Sequence, residues 1–198
     1  MAEMEFWFEF ASTYSHIAAQ TIGVRATEAG VSVRWRPFLL GPIFAAQGWR
    51  DSPFNIYPAK GAYMWRDMAR ECERLGVPFR HPSAFPRNGL TAARIVTAAA
   101  DETWQPEFVR QVYLANFAGD REISEPEVVS ACLTAAGVTD PAAWIARAGD
   151  PAVKDALKRA TEEAIAAGIF GAPTFRTGGE IFWGADRLDQ ALAWAGRS

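Results

Sequence analysis

The chain has 198 residues, of which 49 % are hydrophobic and 22 % charged, with 20 Lys plus Arg against 23 Asp plus Glu and a formal charge of −3. That length and balance predict a compact domain with room for an inserted subdomain, and they exclude a disordered or collagen-like polymer and a global basic field for nucleic acid. Cys72 and Cys132 form no CxxC, which excludes a thiol redox motif and a Cys-rich zinc site, so no metal is expected.

The start, Met1 to Phe10, carries Glu3, Glu5 and Glu9 and no Lys or Arg, unlike a signal peptide. No apolar run approaches the ~20 residues that span a bilayer. A cytoplasmic protein with no membrane partner and reduced thiols is the expectation. Phe6 to Phe10 reads as a short buried aromatic strand. A helix follows, with Ser12 or Thr13 as N-cap and Gly30 as its stop. Val31 to Arg36 alternates apolar with polar residues as a strand does, and Pro37 ends it. The opening is thus a βαβ unit with parallel strands.

Gly41 to Pro58 is rich in Gly, Pro, Asn and Ser and reads as a long loop, a kind of segment that is often functional. Helices are predicted over Ala62 to Leu75, Leu90 to Ala100, Pro106 to Phe117, Glu125 to Ala136, Pro141 to Ala148, and from Asp150-Pro151 to about Ala167, several opened by a first-turn proline. Thr174 to Arg176, the turn Thr177-Gly178-Gly179 and Glu180 to Trp183 read as a hairpin, and a last helix runs from Ala185 to Trp194.

A βαβ unit and a terminal ββα unit joined by a long helix give an α/β, thioredoxin-like sheet with helices inserted between its halves: residues 1–40 and 151–198 as the thioredoxin-like part, 41–150 as an all-helical insertion. The runs Phe8-Glu9-Phe10-Ala11-Ser12-Thr13-Tyr14-Ser15, Gly171-Ala172-Pro173-Thr174-Phe175 and Phe182-Trp183-Gly184-Ala185-Asp186-Arg187-Leu188 carry a family likeness. So do Asn55-Ile56-Tyr57-Pro58-Ala59-Lys60, Tyr63, Asp67 and Gly76-Val77-Pro78. From about Phe6 to Leu192, the chain resembles the 2-hydroxychromene-2-carboxylate isomerase and kappa-class glutathione transferase branch of the DsbA-like thioredoxin superfamily.

Ser12 stands where a strand gives way to a helix, and unpaired N–H groups with the positive end of the helix dipole favour an anion there. Redox members of the superfamily carry the first cysteine of CxxC at this place; this chain has Ser12, and Ser15 in place of the second. The resemblance therefore implies that glutathione, as cofactor, supplies the sulfur and that the Ser12 hydroxyl donates to its thiolate. It also implies a cis Pro173, with the Ala172 backbone pairing with the extended ligand, and an Asp186 that accepts the γ-glutamyl ammonium. Asn55 and Lys60 would contact the cysteinyl and glycyl ends. Related proteins commonly have Ser or Asn where this chain has Ala185, which removes a donor to the γ-glutamyl carboxylate, and usually proline where it has Thr13.

Taken alone, these residues have plainer roles: Ser12 as N-cap, Pro173 as a turn proline, Asp186 as a first-turn acid, Lys60 as a solvated lysine. His16, one helical turn after Ser12, lacks the orienting acid and the G-x-S-x-G elbow of a hydrolase and reads as a polar residue of the helix; His81 reads as surface. Trp49, Trp65 and Trp183 are candidates to wall a pocket for an aromatic substrate. Cys72 and Cys132 read as small buried apolar residues.

The function implied is a glutathione-dependent isomerase of a small aromatic 2-oxo acid, by reversible thiolate addition, bond rotation and elimination. The alternatives are a kappa-type glutathione transferase and a non-catalytic thioredoxin-fold protein that binds extended peptides. Family members often dimerise, so a homodimer is a further expectation.

Overall fold

The protein is described here from a computed structural model covering residues 2–197. Strand β1 (Ala2–Phe8) is followed by α1 (Thr13–Ala29) and β2 (Val31–Pro37). Helices α2 (Leu40–Ala46), α3 (Pro53–Ile56), α4 (Pro58–Leu75), α5 (Leu90–Ala98), α6 (Gln105–Phe117), α7 (Pro126–Ala135) and α8 (Pro141–Arg147) come next. The chain closes with α9 (Pro151–Ala166), β3 (Thr174–Thr177), β4 (Glu180–Trp183), a 3-10 turn (Ala185–Arg187) and α10 (Leu188–Ala195). The four strands form one mixed sheet in the order β2-β1-β3-β4. β1 runs parallel to β2 and antiparallel to β3, which pairs antiparallel with β4. This is the thioredoxin-like α/β arrangement, with a large helical segment between β2 and β3.

The larger differences from the sequence expectation have local reasons, and α4 also starts earlier, at Pro58 rather than Ala62. β1 begins at Ala2 and ends at Phe8 rather than spanning Phe6 to Phe10, because it pairs along the whole of β2, from Ala2 with Val31 to Phe8 with Pro37. Beyond Phe8 the chain turns: the Ser12 N–H donates to the Glu9 carbonyl at 2.9 Å. The expected loop from Gly41 to Pro58 contains α2 and α3, whose shortness and proline content hide them from a periodicity argument. Ser52 caps α3 by accepting the Phe54 N–H, and Pro53 and Pro58 occupy first-turn positions where their missing N–H costs nothing. Gly61 lets α3 lie against α4, since a Cβ there would sit 2.2 Å from the Phe54 carbonyl oxygen. Finally, Ala185 to Arg187 form a 3-10 turn, and the α-helix proper begins at Leu188.

The core explains the order of elements. Met4, Phe6 and Phe8 alternate along β1 and meet Ala18, Ala19 and Ile22 of α1, Phe175 of β3, and Leu188 and Leu192 of α10. The same continuous cluster takes in Phe108, Val109, Val112, Tyr113 and Phe117 of α6 and Ala92, Ile95 and Val96 of α5. Trp7 belongs to a second cluster with Phe38, Ile43, Ala164 of α9 and Ile169. Burying these apolar groups at ~25 cal/mol per Å² is the main force holding the helices to the sheet. A third cluster joins Ile17 of α1 to Met64, Met68 and Cys72 of α4, with Tyr14, Phe54 and Ala185 against it, and this anchors α3 and α4 beside the start of α1. Among the described residues no helix is long and apolar enough to cross a membrane.

Candidate functional site

The junction between β1 and α1 is built by hydrogen bonds from several elements. Ser12 is the N-cap of α1, with extended backbone geometry, and its Oγ accepts the Ser15 N–H at 3.3 Å. The same hydroxyl donates to the Ala172 carbonyl at 2.9 Å, tying the start of α1 to the loop before β3. The Ala172–Pro173 peptide is cis, and the Gly184 N–H donates to the Pro173 carbonyl at 2.9 Å, which brings the 3-10 turn with Ala185 and Asp186 alongside. Gly171 must lack a side chain because a Cβ would lie 2.5 Å from the indole Nε1 of Trp183. Ser12, Ala172, Pro173, Ala185 and Asp186, distant in sequence, thus line one end of α1.

Asn55 and Lys60 come from a different layer. Phe54 on α3 packs against Tyr14 at the start of α1, with ring centroids 6.5 Å apart, and places both residues on the adjoining α3–α4 segment. Both are exposed. The Asn55 amide donates to the Asp51 carboxylate and to the Phe85 carbonyl, while the Lys60 ammonium lies 4.9 Å from the Tyr57 ring centre. Asp186 is exposed too, and pairs with Arg187 at 3.0 Å. The three tryptophans are separate: Trp49 meets Phe44 and Tyr57, Trp65 meets Phe79, Phe85 and His81, and Trp183 meets Phe170 beside Gly171.

The electrostatics of this end of α1 suit an anion. Its first N–H groups carry the positive end of the helix dipole. Thr13 Oγ1 and Ser15 Oγ are buried and find no hydrogen-bond partner among the described residues, an unusual state for two hydroxyls in the first turn. A thiolate or carboxylate of a ligand fits the Ser12 hydroxyl and the first N–H groups of α1, so the residues present are compatible with glutathione. Neither protein thiol offers a ready thiolate: burial pushes Cys72 up to about 12 and Cys132 up to about 11. Both are buried, on α4 and α7.

Three features, at Glu9, Tyr113 and Tyr14, were not singled out from the sequence, and a fourth, His16, takes a buried place. The Glu9 carboxyl accepts the Ala11 N–H at 3.0 Å, and loss of water around it raises its pKa to about 7. The signal was there, since Glu9 is the one charged residue between Phe6 and Tyr14. The Tyr113 hydroxyl of α6 donates to the Glu9 carbonyl at 2.8 Å. The Tyr14 hydroxyl donates to Asp67 at 2.9 Å, and burial together with Asp67 keeps it protonated. His16 is wholly buried; its Nε2 lies 3.0 Å from the Pro78 carbonyl, which only accepts, so this nitrogen carries the proton. Burial lowers its pKa to about 4, so His16 is a neutral core residue with no bond to Ser12.

The profile of the DSBA-like thioredoxin domain family matches residues 3–193. The chain is 26% identical over 201 residues to glutathione S-transferase kappa 1 of Homo sapiens, across 94% of this chain and 87% of that protein. It is 26% identical over 187 residues to 2-hydroxychromene-2-carboxylate isomerase of Sphingobium xenophagum, across 94% of each. A solved 2-hydroxychromene-2-carboxylate isomerase superposes with a TM-score of 0.85 at 24% identity, covering 98% of this chain and 95% of the other, which shows a shared fold.

Proposed function

The chain belongs to the DSBA-like thioredoxin domain family, and from that premise we propose that it is a glutathione-dependent isomerase of a small aromatic 2-oxo acid, similar to 2-hydroxychromene-2-carboxylate isomerase. The observation that carries this reading is Ser12: a hydroxyl at the N-cap of α1, held against Ala172, in a chain without CxxC and with both cysteines buried elsewhere. Bound glutathione supplies a thiolate able to add reversibly to a conjugated double bond.

The chain's own residues do the rest. Ser12 Oγ keeps its lone pair on the Ser15 N–H and swings its O–H from the Ala172 carbonyl to the sulfur anion, so the cap survives as the donor is redirected. The α1 N-terminus adds a fixed field that needs no reorganisation. Ala172 presents backbone groups for an extended peptide, and Asp186 a carboxylate for an ammonium. Ala185 brings no side-chain donor, so a carboxylate beside it relies on backbone N–H groups. Lys60 offers a point charge to the far carboxylate, and Asn55 an amide that must leave Asp51 to engage a ligand.

A second reading, a kappa-type transferase using the same residues, is favoured by the equal 26% identity to the human kappa 1 protein. One experiment covers both. Turnover of a 2-hydroxychromene-2-carboxylate or benzylidenepyruvate acid is followed with and without glutathione, and free thiol is counted afterwards. The isomerase reading expects a rate that needs glutathione and leaves it undiminished. Stoichiometric loss of thiol would establish the transferase, and equal rates without glutathione would overturn both.

A further inference from the structure

The turn that presents Ser12 also holds a carboxyl group. Glu9 lies three residues before Ser12 and binds the turn at both ends: its Oε2 accepts the Ala11 N–H at 3.0 Å, and its carbonyl accepts the Ser12 N–H at 2.9 Å and the Tyr113 hydroxyl at 2.8 Å. The carboxyl is hydrogen-bonded to the N–H one residue before the N-cap, so an ionised Glu9 and an anion at Ser12 would share one short turn.

The surroundings leave that repulsion uncompensated. Glu9 takes part in no ion pair among the described residues. From α6 the facing titratable group is Tyr113, which burial holds protonated, with the charge of Glu9 adding to the effect. On α1 it is His16, neutral and turned to Pro78. The nearest cation on the segment before α5 is Arg87, which reaches the turn only through Asn116 and spends its guanidinium on Asn116, Ser83 and Asp120. Arg110 of α6 pairs with Glu107. Residues 171–173 of the facing loop bring no charge.

We propose that Glu9 holds the proton given up by a thiol that binds at Ser12, so that the turn carries one negative charge whether the site is empty or filled. This rests on the glutathione reading above. In the filled state the S–H bond is broken and an O–H bond is formed on the Glu9 carboxylate, with no change in oxidation state. Glu9 is only partly buried, and the proton reaches its carboxyl through water at that partly exposed edge. Without such a store, each thiolate would have to form beside a charge of its own sign or release its proton to bulk. The tuning of Glu9 into the neutral range matches this role, because a carboxyl at its ordinary value would stay ionised and oppose the thiolate throughout.

The test is glutathione binding to the wild-type protein, E9Q and E9D, with two readouts besides activity: proton release, from calorimetry in buffers of different ionisation enthalpy, and thiolate formation, from absorbance at the thiolate band across pH. Gln keeps an acceptor for the Ala11 N–H, and Asp keeps the charge should Gln disturb the turn. Slightly above neutral pH the wild type is expected to release almost no proton per thiolate formed, and E9Q close to one. The bound thiol of E9Q should titrate about one unit lower, the shift expected from removing one like charge nearby. E9D should follow the wild type. Equal proton release and equal thiol titration in wild type and E9Q would overturn the role of Glu9. A complete absence of the thiolate band in all three proteins would instead overturn the glutathione reading, and this inference with it.

Discussion

The two sides of the candidate site are built on different principles. The side made by Ser12, Ala172 and Pro173 is main-chain architecture: a helix N-terminus, a loop held 160 positions away by one hydroxyl, and a carbonyl bonded to the Gly184 N–H. The side made by Asn55, Lys60 and Asp186 consists of exposed side chains already engaged with Asp51, Tyr57 and Arg187. The first side can stabilise charge strongly because its dipoles are preorganised and partly shielded from water. The second can contribute only what screened surface charges give, which is orientation and modest affinity.

This contrast yields graded expectations. S12A removes a preorganised donor and should lower kcat by ~100-fold with glutathione saturating. It should also cost ~1 kcal/mol of stability through loss of the cap, seen as a lower Tm. If kcat falls only in proportion to the folded fraction, Ser12 is just an N-cap and the first side has no special role.

A second test uses two titratable groups behind that side, and its sign is opposite for each. Glu9 rises from 4.5 to about 7 on folding, so the folded state keeps a proton that the unfolded state loses, and its contribution to stability declines as pH rises through that window. His16 drops from 6.5 to about 4, so its contribution is present above 6.5 and declines as pH falls toward 4. The two slopes largely offset each other in the wild type. Denaturant melts across pH should therefore show stability increasing with pH through the His16 window in E9Q, and decreasing with pH through the Glu9 window in H16Q. Flat profiles in both variants would refute these ionisation states.

Y14F probes the joint between the two sides. Losing the hydroxyl's bond to Asp67 should cost ~1 kcal/mol, read as a fall in denaturation midpoint, with weaker glutathione binding if α4 loosens over α1. The smallest effects belong to the exposed side. D186N should weaken glutathione binding ~2- to 5-fold and K60A ~2-fold, both with kcat nearly unchanged and with effects that shrink as salt is added. Losses as large as that of S12A would erase the distinction between the two sides.

The same contrast governs how much could be read from the sequence. Helix ends were legible where a residue has one physical use: Gly30 and Gly76 adopt the left-handed conformation after α1 and α4, and Pro126, Pro141 and Pro151 open α7, α8 and α9. β2 was legible from alternation, β1 from its aromatic run and the β3–β4 hairpin from its turn glycines, except that pairing with β2 decides where β1 starts. Short helices α2 and α3 were not, because four to seven residues carry no period and their stability is tertiary, through Phe54 on Tyr14 and Gly61 under α3. At the site, Ser12 and Pro173 stood out through motif likeness. Glu9 did not, because an acid in an aromatic run looks like an ordinary outward-facing strand residue until Tyr113 and the β1–α1 turn are seen to enclose it. His16 lies one helical turn from Ser12, yet its ring is directed to Pro78, in keeping with the reading that it is a residue of the helix and no partner of Ser12.

The central claim is that the reactive sulfur arrives with the ligand and is ionised by Ser12 at the start of α1. It is tested most directly by the ultraviolet difference spectrum of glutathione bound at neutral pH to the wild-type protein and to S12A. A thiolate band in the wild type that is lost in S12A, under conditions where both bind glutathione, is the result expected. Glutathione bound to the wild type as the neutral thiol, or a band of equal strength in S12A, would contradict it.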